Sequence, residues 1–366
     1  MSNPQVMQLE LADAWRNKPD DIEQRSGDGF THNNTVRIPA NSRSTSHITF
    51  HKELAMNYFK NTISIPSGLL CILTLVMYPS WVTAQDMSKY YTVMHPEKFE
   101  IDWTGFYNTM IEKTAQVRKN LPHHLDLAYG TDPKQKLDIY LPEGTNLTAA
   151  PVFLFLHGGG FREGDRAQYG AVAAPFAKHG IITAVASYRL TVDGFHYPDQ
   201  PNDAKAAIKW IFENISQYGG DPNSIYVGGH SAGAILTADI GGNRNWMAEA
   251  GLPKQVLKGI VPVSAPYDMR AEGRPGEQSS YAPTPELQEQ ASPILHINDP
   301  APDAIVAVGS LEKYQQSSQE LVNKLQAMGG HAQYVLLDGE DHKDTALSMA
   351  DEGSAIFQAV LAMIEH

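Results

Sequence analysis

Gly229-His230-Ser231-Ala232-Gly233 sets one serine between two glycines in the order G-x-S-x-G. The residues before it, Ser224–Val227 (SIYV), form an apolar, strand-like run, and those after it, Ala232–Ile240, have the pattern of a helix. A chain turning from strand to helix within so few residues would drive together the side chains two positions either side of the serine. Glycine at both places removes that collision. The turn holds the serine in a strained conformation and lifts its hydroxyl clear of the strand, at the positive end of the helix. A hydroxyl so placed is suited to attack on an acyl carbon, provided a base takes its proton. His157-Gly158-Gly159-Gly160-Phe161 follows a second apolar run, PVFLFL. Its glycines let backbone N–H groups approach a developing oxyanion without obstruction. A phosphate-cradling loop is the competing reading, but this segment lacks the Lys-Ser/Thr ending of a P-loop and the second spaced glycine set of a dinucleotide site.

Such groups need a rigid scaffold, and the sequence supplies alternating strand and helix patterns. Gln135–Tyr140, Pro151–His157, Ile181–Ser187, Ser224–Val227, Val256–Val263, Ala304–Val308 and Ala332–Leu337 read as strands. Asn202–Tyr218, Ala232–Ile240 and Ser317–Met328 carry apolar residues at helical spacing. Near-continuous apolar strands of this kind belong in a mostly parallel, doubly wound α/β sheet covered by helices on both faces. Trp103–Val117 holds Trp103, Phe106, Tyr107, Met110, Ile111 and Thr114 at helical spacing and is expected to form a cap helix whose apolar face borders the acyl pocket, with a helix merely packed on the body as the competing reading. Phe106 and Met110 are expected to line its pocket-facing side.

The composition narrows the class further. With 366 residues and a net charge of −13, the chain lacks the basic balance that a nucleic-acid binder needs. Hydrophobic residues at 42% and charged residues at 19% fit a globular protein with a sizeable core. A single cysteine excludes a disulfide scaffold. No H-E-x-x-H, EF-hand loop or Cys/His cluster occurs, so the chemistry calls for no metal and no cofactor.

The first 84 residues differ in character from the rest. Residues 1–55 are polar and aperiodic, as in a disordered extension. Residues 56–84 carry Lys60, an apolar run from Leu69 to Tyr78, and Val82-Thr83-Ala84 as a cleavage site, the pattern of a signal peptide. The run is too short for a bilayer span, which needs about 20 residues, and a buried core segment is its competing reading. The expectation is therefore export to the periplasm or medium, with translation starting at Met56 and the mature catalytic domain occupying residues 85–366. Stable membrane insertion of that domain is not expected, and the oligomeric state is left open.

From about Leu127 to His366, the chain resembles the α/β-hydrolase superfamily, and within it the hormone-sensitive-lipase-like, HGGG-type carboxylesterases. The resemblance rests on LAYGTDPKQKLDIYLP, HGGGF, ASYRL, YPDQPNDAKAAIKWI and GGDPNSIYVGGHSAGA. It implies Ser231 as nucleophile and the backbone N–H groups of Gly159, Gly160 and Ala232 as an oxyanion hole. Chain order in that fold is serine, acid, histidine. His342, after the last strand in LLDGEDHKD, matches the position of the base. Gly309-Ser310-Leu311-Glu312 puts Glu312 in the acid slot, with glutamate where the family more often has aspartate. Asp299 and Asp303 precede their strand, and Asp338, Asp341 and Asp344 read as solvated loop charges. The resemblance gives His157 the task of bracing its loop, and Arg189 and Asp203 a structural one. The function implied is a serine carboxylesterase acting on small or aromatic esters through an acyl-enzyme. Arylformamidase activity on N-formylkynurenine is the alternative within the class, and an inactive hydrolase fold that only binds ligands is the alternative outside it.

Overall fold

The computed structural model describes Thr35–Val36 and residues 102–366, apart from 145–146, 271–279 and 299. Residues 56–84, read as a signal peptide, and residues 1–55 apart from Thr35–Val36 lie outside the described part.

The described strands are β1 (Thr35–Val36), β2 (His123–Ala128), β3 (Lys136–Tyr140), β4 (Ala150–Leu156), β5 (Ile182–Ala186), β6 (Gly220–His230), β7 (Leu257–Val263), β8 (Asp303–Gly309) and β9 (Ala332–Leu337). They form one sheet in the order β1-β9-β8-β7-β6-β4-β5-β3-β2. From β1 to β5 across the sheet all neighbours are parallel. At the far edge β3 runs antiparallel to both β5 and β2. Thr35–Val36, within the segment read as coil, pairs with Tyr334 and Val335 at the opposite edge.

The longer helices are α1 (Trp103–Asn120), α2 (Asp199–Asn214), α3 (Ala232–Gly242), α4 (Gln315–Ala327), α5 (His342–Ser348) and α6 (Ala355–Glu365). Side chains of a strand alternate between faces, and β4 shows where each face leads. Val152, Leu154 and Leu156 join the core under α2, α3 and α4, with Ile208, Ile235 and Leu321. Phe153 and Phe155 point the other way, into the core under α1 and α6, with Met110 and Phe357. Both faces are thus dry, which is why the strands carry unbroken apolar runs instead of alternating ones. This is the α/β-hydrolase fold, as the sequence implies. No helix among the described residues is long and apolar enough to cross a membrane.

Parallel strands deliver all their C-terminal ends to one edge of the sheet. The segments leaving β4, β6, β7, β8 and β9 therefore converge on a single rim, and every expected site residue lies on one of them.

Candidate active site

Ser231 sits between β6 and α3 with φ 55° and ψ −117°, a strained backbone for any residue but glycine. Its N–H donates to the carbonyl of Val263 on β7, at 2.9 Å, which anchors the turn to the neighbouring strand. The flanking glycines are sterically required. A Cβ on Gly229 would collide with the carbonyl of Gly233, and a Cβ on Gly233 with that of Leu156.

Ser231 Oγ lies 3.0 Å from Nε2 of His342, and Nδ1 of His342 lies 2.7 Å from Oε2 of Glu312. A carboxylate only accepts, so Nδ1 carries the proton and Nε2 presents its lone pair to the serine hydroxyl. All three side chains are buried: Ser231 is 7% exposed, and the side chains of His342 and Glu312 are 4% and 3% exposed. The three residues proposed from sequence are thus brought into one hydrogen-bonded chain.

The carboxylate of Glu312 is held by groups that no motif announces. Its Oε1 accepts from Ser264 Oγ at 2.6 Å and from the Gly309 N–H at 3.2 Å, with Thr345 Oγ1 at 3.3 Å. Ser264 follows β7 with φ 59°, and its N–H is tied to Ala307 on β8. Gln315 braces the turn from outside, donating to the carbonyls of Ser310 and Glu312. Spacing in the sequence could not have found Ser264 or Thr345, because each meets Glu312 only through the order of the strands.

The other acidic candidates have different places. Asp303 opens β8 and faces His331 at 3.6 Å, away from Ser231. Asp299 lies outside the described residues. Asp338 is exposed and accepts from Ser310 Oγ at 3.3 Å. Asp341 and Asp344 correct the reading of them as solvated loop charges. They form a reciprocal capping box at the start of α5, and both pair with Lys343. His342 is consequently the first residue of a capped helix, not a loop residue.

In the glycine-rich loop, Gly158 packs against the elbow: a Cβ there would stand 3.3 Å from Ser231 Cβ. Gly159 and Gly160 have φ of 114° and 59°, and Gly159 borders the pocket in front of Ser231. Ala232 is the first residue of α3, where backbone N–H groups have no intrahelical acceptor. His157 is fully buried and stacks on Tyr188 at 4.3 Å, with Nδ1 2.7 Å from the Gly158 carbonyl. Burial pushes its pKa down to about 4, so it braces the loop as a neutral ring. Arg189 holds Asp203 through Nε and Nη2, at 2.9 and 2.7 Å, and ties α2 to the segment after β5.

The pocket above Ser231 encloses about 260 Å³, counting the solvent at its mouth. Trp103, Tyr107 and Tyr169 wall it, together with Glu163, which accepts from Tyr107 Oη at 2.8 Å. The helix α1 does border the site, but with different residues from those expected. Phe106 and Met110 are 3% and 0% exposed and face the core, whereas Trp103 reaches within 6.0 Å of the His342 ring. A helix turns by 100° per residue, so the pocket-facing row is 103 and 107, one position away from the core-facing row. Among the described residues no group of three or more His, Cys, Asp or Glu side chains is placed to hold a metal ion.

The BD-FAE family model matches residues 137–325, more than half of the chain. The chain belongs to the BD-FAE family. The match takes in the HGGG loop, Ser231 and Glu312 and ends before His342. At family level this BD-FAE chain is a carboxylesterase-type α/β-hydrolase. It is 28% identical over 288 residues to esterase LipC of Mycobacterium tuberculosis (strain ATCC 25618 / H37Rv), covering 70% of this chain and 71% of that protein. It is 28% identical over 287 residues to isoprenylcysteine α-carbonyl methylesterase ICME of Arabidopsis thaliana, covering 70% of this chain and 62% of the relative. A kynurenine formamidase of Danio rerio is 25% identical over 260 residues, or 69% of this chain and 85% of that one. Among solved structures, the carboxylesterase EstE1 cloned from a metagenomic library aligns with a TM-score of 0.58 at 20% identity. That alignment covers 72% of this chain and 95% of EstE1, and it supports the fold.

Proposed function

We propose that this BD-FAE protein is a serine carboxylesterase for small or aromatic esters, working through a Ser231–His342–Glu312 triad and an acyl-enzyme. The observation that carries the reading is the chain of contacts at 3.0 and 2.7 Å from Ser231 Oγ through His342 to Glu312. In the first half-reaction Ser231 Oγ attacks the ester carbonyl while His342 Nε2 takes its proton. The imidazolium then protonates the leaving alcohol, and Glu312 stabilises it without itself being protonated. Backbone N–H groups of Ala232, Gly159 and Gly160 receive the oxyanion, aided by the positive end of α3. In the second half-reaction water attacks the acyl-enzyme with His342 as base, and Ser231 is released.

The substrate range follows from the walls. The aromatic walls of Trp103, Tyr107 and Tyr169 close in on a small cleft at Ser231, which suits a short acyl chain or one aromatic ring. The resemblance to a kynurenine formamidase along 85% of its length supports a second reading, hydrolysis of N-formylkynurenine. A p-nitrophenyl ester series from two to twelve carbons, run beside N-formylkynurenine, tests both. The first reading expects its highest kcat/KM on short esters. A kcat/KM higher on N-formylkynurenine than on every ester replaces it with the second, and turnover that survives in folded Ser231→Ala overturns the mechanism.

A further inference from the structure

Three segments of the rim meet at the imidazole of His230, the residue before the proposed nucleophile. Its Nε2 lies 2.8 Å from the carbonyl oxygen of His342 and 3.2 Å from Thr345 Oγ1. A carbonyl can only accept, so Nε2 carries the proton. On the other side the ring abuts the glycine-rich loop: a Cβ on Gly158 would stand 3.0 Å from His230 Nδ1. The ring also packs on that of His342, with centroids 4.6 Å apart. Only 2% of the residue is exposed, and burial, then the neighbouring His342, holds its pKa well below the usual histidine value. It therefore stays neutral while His342 gains and loses its proton.

The need for such a contact follows from the sheet. β9 lies three strands from β6, and strands about 4.8 Å apart put their ends about 14 Å from each other. The segment after β9 must arch back across that distance to bring His342 to Ser231. The helix that it enters has seven residues, too short to be rigid on its own.

We infer that His230 is a positioning residue for the proposed reaction, its Nε2–H pinning the His342 backbone to the strand that carries the nucleophile while its ring spaces the base from the glycine-rich loop. The inference rests on Ser231 and His342 acting as nucleophile and base. His230→Phe keeps a planar ring and loses the donor; His230→Gln loses the ring and restores an N–H near the Nε2 position. The readouts are kcat and KM on p-nitrophenyl acetate, the rate at which an alkyl fluorophosphonate labels Ser231, and the melting temperature.

A misplacement of about 1 Å costs about 10²-fold, so kcat and labelling should fall by about 10- to 100-fold in His230→Phe. KM should stay within about twofold, and His230→Gln should recover most of the loss. A role in packing alone would lower both melting temperatures and leave the kcat of the folded enzyme unchanged. Wild-type kcat in folded His230→Phe, or no advantage of Gln over Phe, overturns the inference. Should His230→Phe not fold, His230→Asn replaces it, because its amide reaches only the Nδ1 position and must be slower than Gln. No labelling of Ser231 in the wild-type protein overturns the esterase reading and this inference together. Wild-type labelling that is unchanged in His230→Phe overturns this inference alone.

Discussion

Replacing Glu312 by glutamine keeps the size of the side chain and exchanges one acceptor oxygen for an NH₂ group. The surroundings dictate which end goes where. Oε1 faces the Ser264 hydroxyl, the Gly309 N–H and Thr345, whereas Oε2 faces only His342 Nδ1. The amide oxygen therefore takes the Oε1 place, and the NH₂ points at Nδ1. Two donors cannot bond, so His342 turns to the tautomer with its proton on Nε2 and its lone pair on Nδ1. That tautomer aims an N–H at Ser231 Oγ and cannot accept its proton. The loss also removes the negative charge that stabilises the imidazolium, and the analogous change in a serine protease costs about 10⁴ in kcat. At 1.36 kcal/mol per tenfold, this is about 5.4 kcal/mol of transition-state stabilisation. Steady-state kcat on p-nitrophenyl acetate between pH 6 and 9, with the melting temperature as a control, measures it. Glu312→Asp should retain intermediate activity, because the charge is kept and the reach shortened. A folded Glu312→Gln enzyme within tenfold of wild type would refute the reasoning, all the more if Asp338→Asn or Asp341→Asn abolished activity.

Trp103→Ala should open the pocket wall and shift the preferred acyl chain to greater length. Phe106→Ala should leave the preference in place and cost about 3–5 kcal/mol of stability, read from denaturant melts. Glu340 shows the sign of a carboxyl whose pKa is raised. Burial lifts it to about 7 in the folded protein, so folding favours its neutral form. Its contribution to stability is fully present below its unfolded pKa and is lost as pH rises through 7. Glu340→Gln should therefore match wild type in melting temperature at pH 4 and exceed it at pH 8; parallel pH curves would refute this. For residues 56–84 we propose export with cleavage between Ala84 and Gln85. N-terminal sequencing of the protein from its native host checks this, and a mature chain beginning at Met1 would sink it.

Much of this arrangement is legible in the sequence because it is local. The elbow and the HGGG loop are contiguous, and their glycines answer collisions within a few residues. The strands feeding the site, β4, β6, β8 and β9, announce themselves because both faces are buried. Glu312 and His342 are reached through the resemblance, by their places after β8 and β9. What escaped is of two kinds. β2 (HHLDLA) alternates half-buried and exposed residues at an edge and carries charge, so it lacks the apolar run of an inner strand. The α5 helix is seven residues long and begins with the base itself, and its capping aspartates mimic a solvated loop. Ser264, Thr345 and the contact of His230 with His342 belong to the second kind. They are separated from their partners by 48, 33 and 112 residues, and nothing short of the strand order brings them together.

Strain gathers at the same rim. Of the five described non-glycine residues with positive φ, Asp126 lies in β2 and Ala149 just before β4, whereas Phe161, Ser231 and Ser264 each lie in a segment that leaves the C-terminal end of a strand beside the site. Each such residue costs about 1–3 kcal/mol and persists only where its surroundings over-determine it. The surroundings here do so by the same device. Ser231 N–H is bonded to Val263 on the next strand, Ser264 N–H to Ala307 on the strand after that, and the Phe161 carbonyl accepts from Thr191 beyond β5. Phe161 is held further by its ring, stacked on Tyr281 at 3.7 Å. The strained turns are thus fastened laterally, each to a neighbouring strand or the segment that leaves it, and the sheet's stability fixes the position of the hydroxyl, the carboxylate and the glycine-rich loop at once. A parallel sheet is suited to this because its inner strands are close-packed on both faces and cannot shift without disrupting two cores at once, so turns fastened to their C-terminal ends are held rigid.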